Sequence, residues 1–161
     1  MFTTSPVIRS TSFCLGATLC LACAPSEEPW DPSPTDFPLA YVHDDCAPWD
    51  GAALSIVLSY AELESPFEAL FPSVRVTSYR PPPKLAGGSF EWTDVAPDLG
   101  YASWCESSED CRAASAVRVR FDAAQPLADE LAGQLHLEFE GGDVVSGAFN
   151  AVRLPHQLLC G

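Results

Sequence analysis

From Cys46 onward, hydrophobic residues recur at every second position in short runs that Gly, Pro or Asp cut off. A period of two sends alternate side chains to opposite faces of an extended backbone, so the pattern argues for half-buried strands and against long helices. Leu54, Ile56, Leu58 and Tyr60 alternate with small or polar neighbours, and Val74 with Val76 repeats the pattern after Pro72. Phe90 and Trp92 mark a third strand, Tyr101 to Trp104 a fourth, and Val117, Val119 and Phe121 a fifth with Arg118 and Arg120 outward. Leu135, Leu137 and Phe139 alternate with His136, Glu138 and Glu140, after which Gly141-Gly142 precedes the returning run Val144 to Val152. Because glycine takes positive φ at no steric cost, this predicts a hairpin with a two-residue turn. Only Pro66 to Leu70 and Leu127 to Leu131 leave room for a helical turn or two. With 15 Pro spread over 161 residues, one domain is expected. Its predicted class is all-β, an antiparallel sandwich or small partly open barrel over residues 46–161.

Four of the seven Cys lie in that domain: Cys46, Cys105, Cys111 and Cys160. An even number in an exported chain implies two disulfides. The expected pairs are Cys46–Cys160, which joins the two ends of the domain, and Cys105–Cys111, which closes a short acidic loop. Zinc is disfavoured, because Cys105 and Cys111 lack the close spacing of a zinc pair and their partners are distant. Cys-x-x-Cys is absent, so a redox pair is disfavoured as well.

Export is read from the first 22 residues, in which one positive charge at Arg9 precedes the uncharged, largely apolar run Thr11 to Ala22. That is the layout of a signal peptide, and the run is shorter than the ~20 apolar residues a membrane-crossing helix needs. Ala22-Cys23-Ala24 also fits an ordinary signal peptidase site, but Pro25 is unfavourable just after the cut. The segment Cys20-Leu21-Ala22-Cys23 resembles the lipobox of bacterial lipoproteins. The resemblance covers this leader alone; the globular part matches no family motif. It implies that Cys23 receives a lipid and becomes the mature N-terminus, making the membrane a partner through that lipid. Ala24 after the lipid Cys implies sorting to the outer membrane, facing periplasm or cell surface; without lipid the chain would be secreted. Residues 23–45, rich in Pro and acid, are expected to be a disordered tether on which Phe37, Leu39, Tyr41 and Val42 could dock back onto the domain.

The formal charge of −14 becomes one unit more negative when Arg9 leaves with the leader. Such a chain repels phosphate backbones, so nucleic acid is excluded as a partner, and the acidity is read as solubility. Among candidate sites, His43-Asp44-Asp45 and Glu106 to Asp110 gather oxygen ligands without the spacing of a calcium loop, so solvated acid is expected and no metal is assigned. Trp92, Tyr101 and Trp104 could form a stacking surface, but a Trp beside Cys105 is expected to pack inside against a disulfide. His43 in the tether, His136 on an outward face and His156 near the C-terminus accompany no nucleophile elbow, phosphate loop or metalloprotease helix. No catalytic residue and no cofactor are therefore assigned. The expected function is a non-catalytic binding or structural module of the envelope, with a protein or glycan partner; a secreted hydrolase or inhibitor with a loop-built site is the alternative.

Overall fold

The computed structural model describes residue 30 and residues 33–65, 68, 70–93, 96, 98–127, 129–155 and 160. The leader with Cys23, residues 24–29 of the tether, and His156 lie outside them. The described residues form eight strands and no helix: β1 (Leu39–Cys46), β2 (Ala52–Ser59), β3 (Ser73–Ser78), β4 (Ser89–Thr93), β5 (Gly100–Cys105), β6 (Cys111–Phe121), β7 (Glu130–Phe139) and β8 (Val144–Arg153). Every run read from hydrophobic alternation forms a strand, except that Tyr60, read into the first, lies just past the end of β2 and is exposed. Two further details differ from expectation. Leu131, expected in a helical turn, is buried in β7, because its side chain continues the inward row of Leu135, Leu137 and Phe139. The hairpin loop has three residues, since Phe139 N donates to Asp143 O at 2.9 Å and Gly142 N to Phe139 O at 3.2 Å, with Gly141 and Gly142 at φ of 94° and 88°.

The strands close into a ring of seven, in the order β6, β5, β3, β2, β1, β8, β7 and back to β6. A closed ring with an odd number of strands cannot reverse direction at every step. One neighbouring pair must run parallel, and it is β1 with β8, through Ala40↔Ala151, Tyr41↔Val152 and Val42↔Arg153. The expected all-β class and its antiparallel pairing hold for every other pair of strands, in the barrel form rather than the sandwich. β4 is the extra strand. β5 meets β6 only over Ser103–Cys105, where Cys105 lies opposite Cys111. Beyond that point the two diverge, and β4 pairs with the second half of β6 in the opening wedge. Trp92 fills the wedge; a Cβ on Gly100 would stand 2.6 Å from its ring, so the glycine lets the two strands approach.

Both expected disulfides are present, Cys46–Cys160 and Cys105–Cys111. The first ties the chain near its C-terminus to the end of β1, and the second staples the short β5–β6 seam.

The tether assignment is corrected for its second half. Residues 39–46 are a strand inside the ring, between β2 and β8, with Val42 fully buried and Tyr41 and His43 nearly so. The chain is already fixed before that. Thr35 N donates to Ala148 O at 3.0 Å and Ala148 N to Ser33 O at 2.6 Å, and Phe37 is buried against Tyr60 and Trp104. The physical cause is burial: removing one large apolar side chain from water gains roughly 1.5–3 kcal/mol, enough for a few such residues to hold an acidic segment.

Inside the ring, Val42, Ile56, Leu58, Val74, Val76, Val117, Val119, Phe121, Leu135 and Leu137 form one closely packed cluster. Among the described residues, these side chains fill the space that the seven strands enclose. A smaller cluster, Tyr41, Val57 and Leu63, sits outside the β1–β2 wall.

Candidate functional site

Outward residues of β2, β3 and β5 come into line because their register sets Val57 opposite Arg75 and Arg75 opposite Ser103. The adjoining row sets Ser73 opposite Cys105. Glu68, Leu70 and Phe71, from the segment before β3, and Cys105, Ser108 and Cys111, from the β5–β6 hairpin, border the same rows. Between them lies a groove of about 370 Å³. Val57, Leu70, Phe71 and the disulfide supply apolar contact; Ser73, Ser103 and Ser108 supply hydroxyls, and Arg75 a guanidinium. Glu68 is oriented by its own loop, its Oε2 accepting from Glu64 N at 3.0 Å. Such a lining suits a small amphipathic ligand or a peptide edge, with fixed polar groups for orientation and apolar walls for contact.

A second, more open depression of about 500 Å³ lies over Ala116, where the irregularity of β6 between Ala114 and Ala116 leaves a small side chain facing out. Glu91, Arg118, Thr93 and Glu138 surround it. Beside it His136 bridges Ser146 Oγ (3.3 Å) and Glu138 Oε1 (3.2 Å).

The residues singled out from the sequence do not converge. His43 is not on a tether but buried in β1, its Nδ1 3.0 Å from the carbonyl of Asp44. Across the wall it stands opposite Ser55, which in turn stands opposite Thr77. Ser55 Oγ donates to Asp45 Oδ2 at 2.7 Å and lies 2.6 Å from Thr77 Oγ1. A Ser, a His and an Asp thus lie near one another, but Ser55 is fully buried and its hydroxyl donates to the Asp45 carboxylate, which is not the Ser-to-His-to-Asp order of a catalytic triad. Asp44 pairs with Arg153 at 3.2 Å. The acids of Glu106 to Asp110 are exposed at the hairpin tip, whose turn Ser107 Oγ holds by accepting from Glu109 N and Asp110 N. No group of three or more His, Cys, Asp or Glu able to hold a metal ion occurs among the described residues.

The three candidate stacking aromatics are separated. Trp92 stacks on Phe90 inside the barrel, and Trp104 meets Phe139 edge-on at 5.8 Å with Arg112 over its ring at 4.7 Å. Tyr101 faces outward and is exposed. Trp104 does not share a face with the disulfide it adjoins, since successive residues of a strand point to opposite sides, so the expected packing on Cys105 is corrected. Arg75 and Phe71 were missed as site residues. Arg75 was legible as the outward residue between Val74 and Val76, but its neighbours come from strands and loops whose placement no local pattern encodes.

No helix of the described residues is long and apolar enough to cross a membrane. No family model, no curated protein and no solved structure matches the chain.

Proposed function

We propose that this chain is an exported, lipid-anchored envelope protein whose barrel is a non-catalytic binding or structural module. The observation that carries the reading is the pairing of all four domain cysteines in two disulfides, an arrangement that persists in an oxidising compartment outside the cytoplasm. The lipobox-like residues Ala22-Cys23 support the anchor. The groove over Arg75 supports binding: hydroxyls, a guanidinium and an apolar wall are means of holding a protein or glycan partner. Metabolic labelling with a fatty-acid analogue tests the anchor. The wild-type chain should be labelled and recovered with envelope membranes, whereas Cys23→Ala should be unlabelled and soluble; equal labelling of both would refute it.

A further inference from the structure

We infer that the outer face of β6, flanked by β4 and β7, is turned toward the bilayer and held within one short tether length of it; this rests on the lipid reading of Cys23. The tether is short because the chain joins the barrel early. Ser33 and Thr35 are hydrogen-bonded to Ala148 of β8 on either side of a parallel bridge at Pro34. A Cβ on Gly147, which has φ of 141°, would stand 2.6 Å from Ser33 O, so the glycine admits the segment at this register. Upstream, the Trp30 ring lies against the guanidinium groups of Arg120 (5.0 Å) and Arg118 (5.7 Å), two outward residues of β6. A cation over an indole face is an attractive contact, so these three residues define where the tether leaves the barrel.

Seven peptide bonds separate Cys23 from Trp30. Fully extended, that length spans at most about 25 Å, so the Cα of Trp30 cannot stand farther than this from the Cα of the lipid-bearing Cys23 while Trp30 is docked. A tether reaching back to Cys46 would have allowed the domain to tumble tens of Å away. Charge does not oppose this: Arg118 and Arg120 on the face are matched by Glu91 and Glu138, and Arg120 hydrogen-bonds the neutral Gln134 at 3.0 Å, so the orientation follows from where the tether departs. The wall formed by β1 and β2 lies across the ring from β6 and is directed away from the membrane.

The test uses the full lipidated chain, added to preformed phosphatidylcholine vesicles that carry a headgroup-linked acceptor dye. A donor fluorophore is placed through a non-natural amino acid either at Ser89, opposite Arg120 on β4, or at Glu62, in the loop after β2. The Ser89 label should be quenched at least two-fold more than the Glu62 label. A 24-residue Gly-Ser spacer inserted between Glu28 and Pro29 should bring the two labels to equal quenching. Equal quenching without the spacer, in protein that floats with the vesicles, would overturn the orientation while leaving the lipid reading intact. Protein that neither floats nor takes up a fatty-acid label would overturn the lipid reading and the orientation with it.

Discussion

Phe139 and Glu138 are adjacent in β7 and differ in almost every physical respect. Phe139 is buried against Trp104 at the end of the core, and Glu138 has a half-exposed side chain beside His136. Removing the Phe139 ring loses its transfer energy and leaves a cavity, so Phe139→Ala should cost about 3–5 kcal/mol in urea melts of the barrel. Glu138→Ala removes one solvent-screened contact and should cost under about 0.5 kcal/mol. A one-residue slip would exchange the two faces, so a larger loss from Glu138→Ala would disprove the register and not merely the ranking. Alternation made this pair legible in the sequence, because β7 and β8 bury one face and leave the other wet. At His43 the sequence points the opposite way. Asp44 and Asp45 beside it suggest solvent, and only the neighbouring strands reveal that Asp45 is occupied by Ser55 and Asp44 by Arg153.

At the scale of elements, legibility followed how each strand is covered. β7 and β8 alternate cleanly and were read with their hairpin, the loop being one residue longer than expected. β1 hides in the tether sequence because it is covered on both sides: Ala40 and Val42 face the core while Tyr41 and His43 are buried outside it, which erases the period of two. Pro38 before it and two acids at its end completed the disguise. The disulfides were legible from number and compartment, but their mechanical roles were not. Cys105–Cys111 sits where β5 and β6 share only three residue pairs, as few as at the parallel β1–β8 seam, so it secures one of the two shortest seams of the ring. Loop-closure entropy nevertheless favours the longer link. Replacing both Cys46 and Cys160 by Ser should cost about 4–5 kcal/mol, and replacing both Cys105 and Cys111 by Ser about 2 kcal/mol, as shifts between urea melts of the oxidised proteins. A larger loss from the hairpin pair would mean that the seam, rather than chain entropy, limits stability.

At the scale of the whole molecule, closure depends on β1, and the topology makes that dependence testable. β8 runs parallel to β1 and β1 antiparallel to β2, so β8 and β2 run antiparallel and could in principle meet to form a ring of six. Ring parity permits this, but volume opposes it. Barrel width grows with strand number, and Phe121, Phe149, Trp92 and Trp104 fill an interior framed by seven strands. A chain beginning at Cys46 must therefore compress that core or leave β2 and β8 with unpaired edges, which are sites of self-association. A chain beginning at Trp30 keeps Phe37, β1 and the bridge at Pro34, and should unfold in one cooperative urea transition as a monomer. The chain from Cys46 should lose that transition and elute as aggregates in size-exclusion chromatography, with Cys46 and Cys160 oxidised in both. Equal urea midpoints for the two chains would show that β1 is dispensable, and the seven-strand closure would then not be the source of the fold's stability.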